Sequence, residues 1–311
     1  MPVSVAAYRG RAPDGMRFLL LGGTGQVGRE LRSLSQTGVD VIAPSRSELD
    51  LHDPHSITRI FAAKPWNVII NAAAYTDVDG AEGEASLAFA VNAVAPSRLA
   101  AEAEGRGIPL IHISTDHVFD GRKGAPYVEN DATSPLNTYG RSKLAGEHGV
   151  RAATSRHVIL RTSWVYSPFG KNFVRTILRL ASERERLTVV ADQRGCPTAA
   201  CDIAKACFDI ALSCAKEPER APYGLYHFAG TGEATWFEFA GAIVELAVGR
   251  LPRQPLVVPI RTIDYPTKAL RPADTRLDCA AFARVFGITA RPWREALIET
   301  IDRLLTKKDT P

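Results

Sequence analysis

Gly22-Gly23-Thr24-Gly25-Gln26-Val27-Gly28 is the stretch that decides how this chain reads. It follows Arg17-Phe18-Leu19-Leu20-Leu21, a short apolar run of the kind buried as a strand. Helix-forming residues continue from Gln26 to about Leu34. In that strand–turn–helix context Gly22 suits the tight turn and Gly25 lets the backbone approach phosphate oxygens. Gly28 lets the helix pack close to the strand. The start of the helix adds free N–H groups and a positive dipole end, so the segment is suited to a dinucleotide pyrophosphate.

A second motif lies far downstream, at Tyr139-Gly140-Arg141-Ser142-Lys143. On a helix over 138–153 this spacing sets the phenol and the ammonium one turn apart on one face. The apolar run 108–113 ends in Ser114-Thr115-Asp116-His117. Its hydroxyls therefore belong at the carboxyl edge of a strand, where ligands sit in doubly wound sheets. A Thr115 hydroxyl there can donate to a carbonyl, and Tyr139 can protonate the alkoxide that develops when hydride arrives. Lys143 is expected to favour the phenolate, lowering the Tyr139 pKa, and to bond the cofactor ribose. A Y-x-x-x-K pair alone reads equally well as a surface helix pair. The glycine motif and the edge threonine give it catalytic meaning.

Strand and helix patterns alternate through the first half. Strands are expected at 17–21, 39–43, 67–71, 108–113 and 157–161, and helices at 26–36, 54–63, 84–105, 138–153 and 171–182. This is α/β order: a Rossmann-type, doubly wound parallel sheet covered on both faces. The expected division is a loose tail over 1–15, a dinucleotide-binding domain over 16–165 and a smaller, mainly substrate-binding region over 166–311. Strand 187–190 is expected to return to the sheet. The second half is less regular, with helices at 199–214, 235–249 and 293–307, a strand at 224–229, and 251–276 largely loop. Met1 and Met16 are the only methionines. Met16 stands at the first strand, so 1–15 read either as a tail or as residues ahead of the true start.

The bulk numbers narrow the function class. A chain of 311 residues can bury a sizeable core. With 45% hydrophobic and 23% charged residues it is ordinary for a soluble protein. The net charge of +4 comes without a dense basic stripe, so nucleic acid is not an expected partner. No run is long and apolar enough for a membrane span, and the first residues lack a secretory core. The five cysteines form no C-x-x-C and have no zinc spacing, which suits reduced thiols in a cytoplasm.

After the third strand, Asn71-Ala72-Ala73-Ala74 offers small side chains over which ribose and nicotinamide can pass, or a tight packing contact. Asn92, between apolar neighbours in a helix, is read either as a structural bond to the backbone or as catalytic support. Cofactor choice belongs at the tip of the second strand, Val41-Ile42-Ala43-Pro44-Ser45-Arg46-Ser47. No carboxylate is expected at that tip. Ser45 and Arg46 could instead hold a 2′-phosphate, which points to NADPH, with NADH as the alternative.

At this point the residues resemble a family, the dTDP-4-dehydrorhamnose reductases of the extended short-chain dehydrogenase/reductase superfamily. G-x-x-G-x-x-G is the spacing typical of that superfamily. The resemblance rests on Gly22–Gly28, the Asn71–Asp79 and Ser114–Gly121 stretches, and Ser134-Pro135-Leu136-Asn137-Thr138-Tyr139-Gly140-Arg141-Ser142-Lys143-Leu144-Ala145-Gly146-Glu147. It continues through Arg161–Tyr166, Asp192–Thr198, Arg271-Pro272 and Arg276-Leu277-Asp278. It implies Thr115, Tyr139 and Lys143 as the catalytic trio, with hydride delivered to C4 of a 4-keto-6-deoxy sugar carried on dTDP. The expected cofactor set is Gly22, Thr24, Gly25, Gln26, Val27 and Gly28, with Ser45, Arg46, Asp50 and Leu51, Asn71 to Ala74, Tyr139 and Lys143. It also implies sugar contacts from Thr76, Val78, Thr115 and Trp164, and nucleotide contacts from Asn172 and the Gln193, Arg194 and Pro197 loop. For Trp164 core packing is the alternative to a sugar contact.

His117 departs from the family, whose members often carry Tyr there close to the sugar. Some relatives bind magnesium at a dimer interface, and Glu30 matches one such position. Cys201-Asp202 occupies the region of another, and no metal is expected. The resemblance admits a homodimer without setting one. Two other readings compete. A dehydratase or epimerase could use the same scaffold, but dehydration needs an adjacent acid and base, and Asp116 is followed by His117. A non-catalytic, nucleotide-binding regulatory subunit would keep the fold yet has no need of an intact trio.

Overall fold

A computed structural model of the chain describes residues 15–35 and 38–306. The expected tail therefore lies outside the described residues up to position 14, as do position 36 of the first expected helix and position 307 of the last.

The first half alternates as the apolar pattern requires. Strand β1 (Met16–Leu21) leads to helix α1 (Gln26–Arg32), β2 (Val39–Ile42), α2 (Pro54–Ala63) and β3 (Val68–Asn71). A long helical stretch, α3, runs through Ala85–Phe89, a π-helical turn at Ala90–Val94, and Ala95–Glu104. Then come β4 (Leu110–Thr115), α4 (Thr138–Ala153), β5 (His157–Thr162) and α5 (Phe173–Glu183). In the second half are β6 (Arg186–Val190), α6 (Ala200–Lys216), β7 (Gly224–His227), α7 (Trp236–Leu246), β8 (Leu256–Ile260), α8 (Ala280–Phe286) and α9 (Trp293–Leu305).

Six strands form one sheet in the order β7-β5-β4-β3-β1-β2, and every pairing is parallel. Its strands are apolar on both sides because helices cover both faces. Phe18 and Leu20 pack towards α6, with Phe208, Phe282 and Phe286 in the same cluster. Leu19, Leu21 and Ile69 pack on the opposite face with Ile57, Phe61 and Leu99. Each such buried side chain contributes about 1.5–3 kcal/mol relative to exposure. The chain leaves β1 to one side for β2 and resumes on the other side at β3. The sheet thus switches direction at the carboxyl ends of β1 and β3, the crevice in which doubly wound sheets bind ligands.

Two elements differ from expectation. Strand β6 does not return to the main sheet; it pairs in parallel with β8, from Leu256↔Arg186 to Ile260↔Val190. β7 fills the sheet's outer place instead, beside β5. The segment 251–276 is accordingly not all loop. Pro259 sits in β8, tolerated because a two-stranded ribbon leaves the N–H side of an edge unpaired. A separate cluster around Tyr166, Val174, Phe239 and Trp293 gives the C-terminal elements their own core.

Candidate active site

Gly22 follows β1 at φ +78°, a backbone state that favours glycine. A Cβ there would lie 2.6 Å from the Ala73 nitrogen, and one on Gly28 would lie 2.1 Å from the Gly22 carbonyl oxygen. The glycines thus let the β1 turn, α1 and the post-β3 segment close on each other. Asn71 fixes that segment: its Oδ1 accepts from the Ala73 N–H at 3.2 Å, and its amide lies 3.1 Å from His112 Nδ1.

Helix α4 begins where Asn137 caps it, accepting from the Gly140 N–H at 2.8 Å. The Asn137 amide also donates to the Leu270 carbonyl at 2.8 Å and lies 3.1 Å from His117 Nδ1. One cap therefore sets the helix start, the His117 ring and the chain near Arg271. Asn92, in the π turn of α3, accepts from the Tyr75 N–H at 2.8 Å and donates to the Tyr75 carbonyl and to Ser142 Oγ, both at 3.0 Å. These contacts are structural bonds to backbone and to one hydroxyl. The backbone lies beyond β3 and the hydroxyl lies on the Tyr139 helix.

Gly25, Gln26, Val27 and Ala72 to Ala74 open onto one cavity of about 830 Å³ with Thr115, His117, Tyr139 and Lys143. Thr76, Val78, Trp164, Asn172 and Gln193 line the same cavity. Gly22, Gly28 and Asn71, like Ser45 and Arg46, are not among the residues that line it. Thr24 is exposed at the loop, where its carbonyl accepts from Arg29 Nε. Arg194 and Pro197 are not brought to the wall. The Arg194 guanidinium bonds Glu233 at 2.8 Å and its backbone pairs with 273–275. The Pro197 carbonyl packs against Gly230. Asp50 accepts from the His52 backbone at 3.0 Å, and Leu51 packs on the α2 side of the sheet.

Tyr139 is buried, and burial pushes its phenol up to about 12, with Asp116 adding to the rise and a hydrogen bond with Thr115 opposing it. Lys143 is not what moves it, contrary to expectation. Its Nζ donates to the Ile113 carbonyl at 2.7 Å, and burial lowers its own pKa to about 8 against the opposing charge of Glu147. Thr115 Oγ donates to Asp116 Oδ1 at 3.0 Å and accepts from the His117 N–H at 3.2 Å. Asp116 is held from its other oxygen by Ser163 at 3.0 Å. His117 stands edge-on to the Tyr139 ring at 5.5 Å, and burial lowers its pKa, so it is neutral at neutral pH.

The tip of β2 corrects one expectation. A carboxylate does stand there: Glu48 folds back so that its Oε2 accepts from the Ser45 N–H and Ser45 Oγ. The signal was the Ser-x-x-Glu spacing, which closes a turn much as a capping box does. Sequence reasoning also missed Trp236, Phe173 and Arg271 in the cavity wall. The Trp164 and Trp236 rings stack 3.5 Å apart at 5°, with Phe173 against Trp236 at 4.6 Å. One face of Trp164 is thus covered by protein. Trp164 is held at φ +46°, the one positive φ outside glycine among the described residues. A Cβ on Gly195 would lie 2.5 Å from the Trp164 ring. Gly195→Ala is therefore expected to cost about 1–3 kcal/mol of stability by overpacking. It should also alter the near-ultraviolet circular dichroism of the Trp pair. An unchanged urea midpoint and an unchanged aromatic spectrum would together rule this out.

The residues present suit a dinucleotide: a glycine loop whose backbone opens on the same cavity as the trio, floored by alanines. Glu30, only 5% exposed, pairs with Arg303 at 2.8 Å. Among the described residues no group of three His, Cys, Asp or Glu could hold a metal ion. Nor, among them, is any helix long and apolar enough to cross a membrane.

The family model described as the RmlD substrate binding domain matches residues 16–306. The chain belongs to this family. A dTDP-4-dehydrorhamnose reductase of Sinorhizobium fredii is 42% identical over 290 residues, covering 93% of this chain and 98% of that protein. The crystal structure of a dTDP-4-dehydrorhamnose reductase from Clostridium acetobutylicum superposes with a TM-score of 0.85 at 36% identity, over 93% of this chain and 99% of the other. That of the Bacillus anthracis enzyme, in complex with NADP, gives 0.85 at 33% identity over the same shares. Within the RmlD family, then, the cavity joins the glycine loop to the Thr115–Tyr139–Lys143 trio.

Proposed function

We propose that this chain is a nicotinamide-dependent reductase that delivers hydride to the C4 ketone of a dTDP-4-keto-6-deoxy-L-sugar, turning dTDP-4-dehydrorhamnose into dTDP-L-rhamnose. The observation that carries it is the shared cavity: Gly25 to Val27 at one end, Thr115, Tyr139 and Lys143 in the middle, and Trp164, Asn172 and Gln193 beyond. Its relatives bear the same activity in name.

Reduced nicotinamide, when bound, supplies the hydride. The chain's part is to orient and to move a proton. Thr115 Oγ holds the ketone oxygen by a hydrogen bond, and Tyr139 Oη gives that oxygen its proton as the alcohol forms. A phenol raised to about 12 is protonated at neutral pH, the form a reduction needs. The Lys143 ammonium, fixed on the Ile113 carbonyl beside the trio, bonds the cofactor ribose and so holds the nicotinamide in place. His117 and Trp164, which line the same cavity, are assigned to the sugar. NADPH is the cofactor, with NADH as the alternative; NADP is present in the Bacillus anthracis relative.

We divide the labour so that residues 16–165 hold the cofactor and 166–311 most of the nucleotide sugar. All five cysteines are free, and burial pushes their thiols up, to about 11 for Cys196 and about 12 for Cys207, so they suit a reducing cytoplasm as inert groups. A homodimer fits the reading and requires no further residue.

The test is oxidation of NADPH with dTDP-4-keto-6-deoxy-L-sugar made in situ by the upstream dehydratase and 3,5-epimerase, with the product identified by NMR. Turnover that requires the epimerase and gives the rhamno product is expected. Turnover without the epimerase would mean a different deoxysugar. Tight NADPH binding with no turnover would favour a regulatory subunit.

A further inference from the structure

The turn after β2 holds a charge arrangement that the reaction above does not use. Ser45 presents two donors, its N–H and its hydroxyl. Both point at one oxygen, Glu48 Oε2, at 2.7 and 2.8 Å. The turn is independently closed by the Glu48 and Leu49 N–H groups, which donate to the Ser45 carbonyl at 3.1 and 3.0 Å. The Glu48 side chain is therefore not the only thing that shapes it. Those two bonds, backbone first, hold the Glu48 carboxyl below its ordinary range, so it is charged at neutral pH. Arg46 stands between them, exposed. The turn lies beside the glycine loop: β2 pairs in parallel with β1, and a Cβ on Gly23 would lie 2.5 Å from the Ala43 Cβ. In a doubly wound sheet this tip faces the adenosine ribose of a bound dinucleotide.

A 2′-phosphate at that ribose would seek what Ser45 offers, an N–H and an O–H, together with a guanidinium. Here a carboxylate already takes both donors. A 2′-hydroxyl makes the opposite demand, since it donates a proton to a carboxylate. Arg46 and Glu48 thus pull the site in opposite directions within one turn.

We propose that Glu48 is the residue that sets this protein's discrimination between NADH and NADPH, by holding with its carboxylate the Ser45 donors that a 2′-phosphate would take. The proposal rests on the reductase reading for its cofactor. NADH binds with Glu48 in place on Ser45. NADPH binds when Glu48 yields Ser45 to the phosphate and Arg46 supplies the counter-charge. The preference between the two cofactors is thus tuned by this one carboxylate.

The experiment uses the full chain and two fragments that report the ribose alone, 2′,5′-ADP and 5′-AMP, with affinities measured by calorimetry at low and high salt. Glu48→Gln keeps an acceptor for the Ser45 N–H and removes one charge. It is expected to tighten 2′,5′-ADP about tenfold relative to 5′-AMP. That gain should shrink as salt rises, because the removed repulsion is screened at an exposed site. Arg46→Ala should move the same ratio the other way. A ratio unmoved by Glu48→Gln, or equal losses for both fragments, would overturn the proposal and leave Glu48 as a turn-closing residue only. Intact NADH and NADPH serve as the control. If neither binds the unmodified chain, the reductase reading falls and this inference with it. If they bind while the fragment ratio stays fixed, only Glu48's role falls.

Discussion

Tyr139→Phe is expected to lower kcat by about 10²–10⁴-fold while leaving NADPH affinity nearly unchanged. The ring keeps its place: Phe fills the same volume, retains the edge-on contact with His117 and stays on a helix capped by Asn137. Only the proton is lost. At about 12 the Tyr139 phenol is fully protonated at neutral pH, so it is poised to give rather than to take, as a reduction requires. Stopped-flow binding of NADPH beside steady-state turnover separates the two effects. A variant that keeps most of its turnover would move the proton donor to another group; His117, neutral and beside the ring, would be the next to test. The pH profile of the unmodified chain adds a check. Lys143 loses its proton as pH rises through about 8, and with it the charged donor that holds the cofactor ribose, so kcat should fall on the alkaline side. A flat profile from pH 7 to 9 would exclude a role for that charge.

The parts of this site that the sequence made legible are those written locally. The helix 138–153 was readable to the residue because a cap and a one-turn repeat are short-range signals, and the glycine loop because its strand and helix flank it directly. What escaped depends on partners far along the chain. β6 reads as a sheet strand by its apolar pattern, but its partner β8 lies some seventy residues on, in a proline-flanked stretch without clean alternation. Trp236 falls within the helix expected over 235–249 and does sit on one; nothing nearby says that its ring stacks on Trp164. Arg194 and Pro197 belong to a loop that does reach the cavity through Gln193, but a two-residue strand turns the Arg194 side chain away towards Glu233. Glu48 lies one residue beyond the Val41–Ser47 tip, and only its Ser-x-x-Glu spacing from Ser45 marks it in the sequence. The Lys143 expectation failed for a physical reason. Burial acts on both members of the pair, and the Ile113 carbonyl takes the ammonium that the phenol was expected to feel.

Glu147→Gln is expected to cost about 3–5 kcal/mol of stability, a large part of what a domain possesses. Glu147 and Arg161 are both buried, with side-chain exposures of 1% and 3%, and they meet in a two-pronged bond, Nη2 to Oε2 at 2.7 Å and Nε to Oε1 at 2.9 Å. Ser114, next to Thr115 on β4, donates to the same Oε1 at 2.6 Å. On the far side the Arg161 guanidinium lies over the Phe119 ring at 5.0 Å and faces His227, whose pKa is lowered to about 3 by burial and by that same charge. His227 is therefore neutral and cannot replace the lost carboxylate, so the variant leaves a buried cation unpaired. The cost lies in the unpaired charge rather than in the bond itself. A double variant with Arg161→Met should accordingly recover most of it, since a buried pair is often no better than apolar groups of its size. Urea denaturation of the two single variants and the double one measures this directly. A single-variant loss below about 1 kcal/mol would mean that water reaches Arg161 and the pair is not buried as described. The pair also bears on the chemistry. Glu147 lies one helical turn beyond Lys143, and its charge opposes the burial that lowers the Lys143 pKa. Removing that charge lowers the Lys143 pKa further, so in a folded Glu147→Gln variant the alkaline fall in kcat should begin at lower pH. A structural role confined to stability would leave that limb where it is.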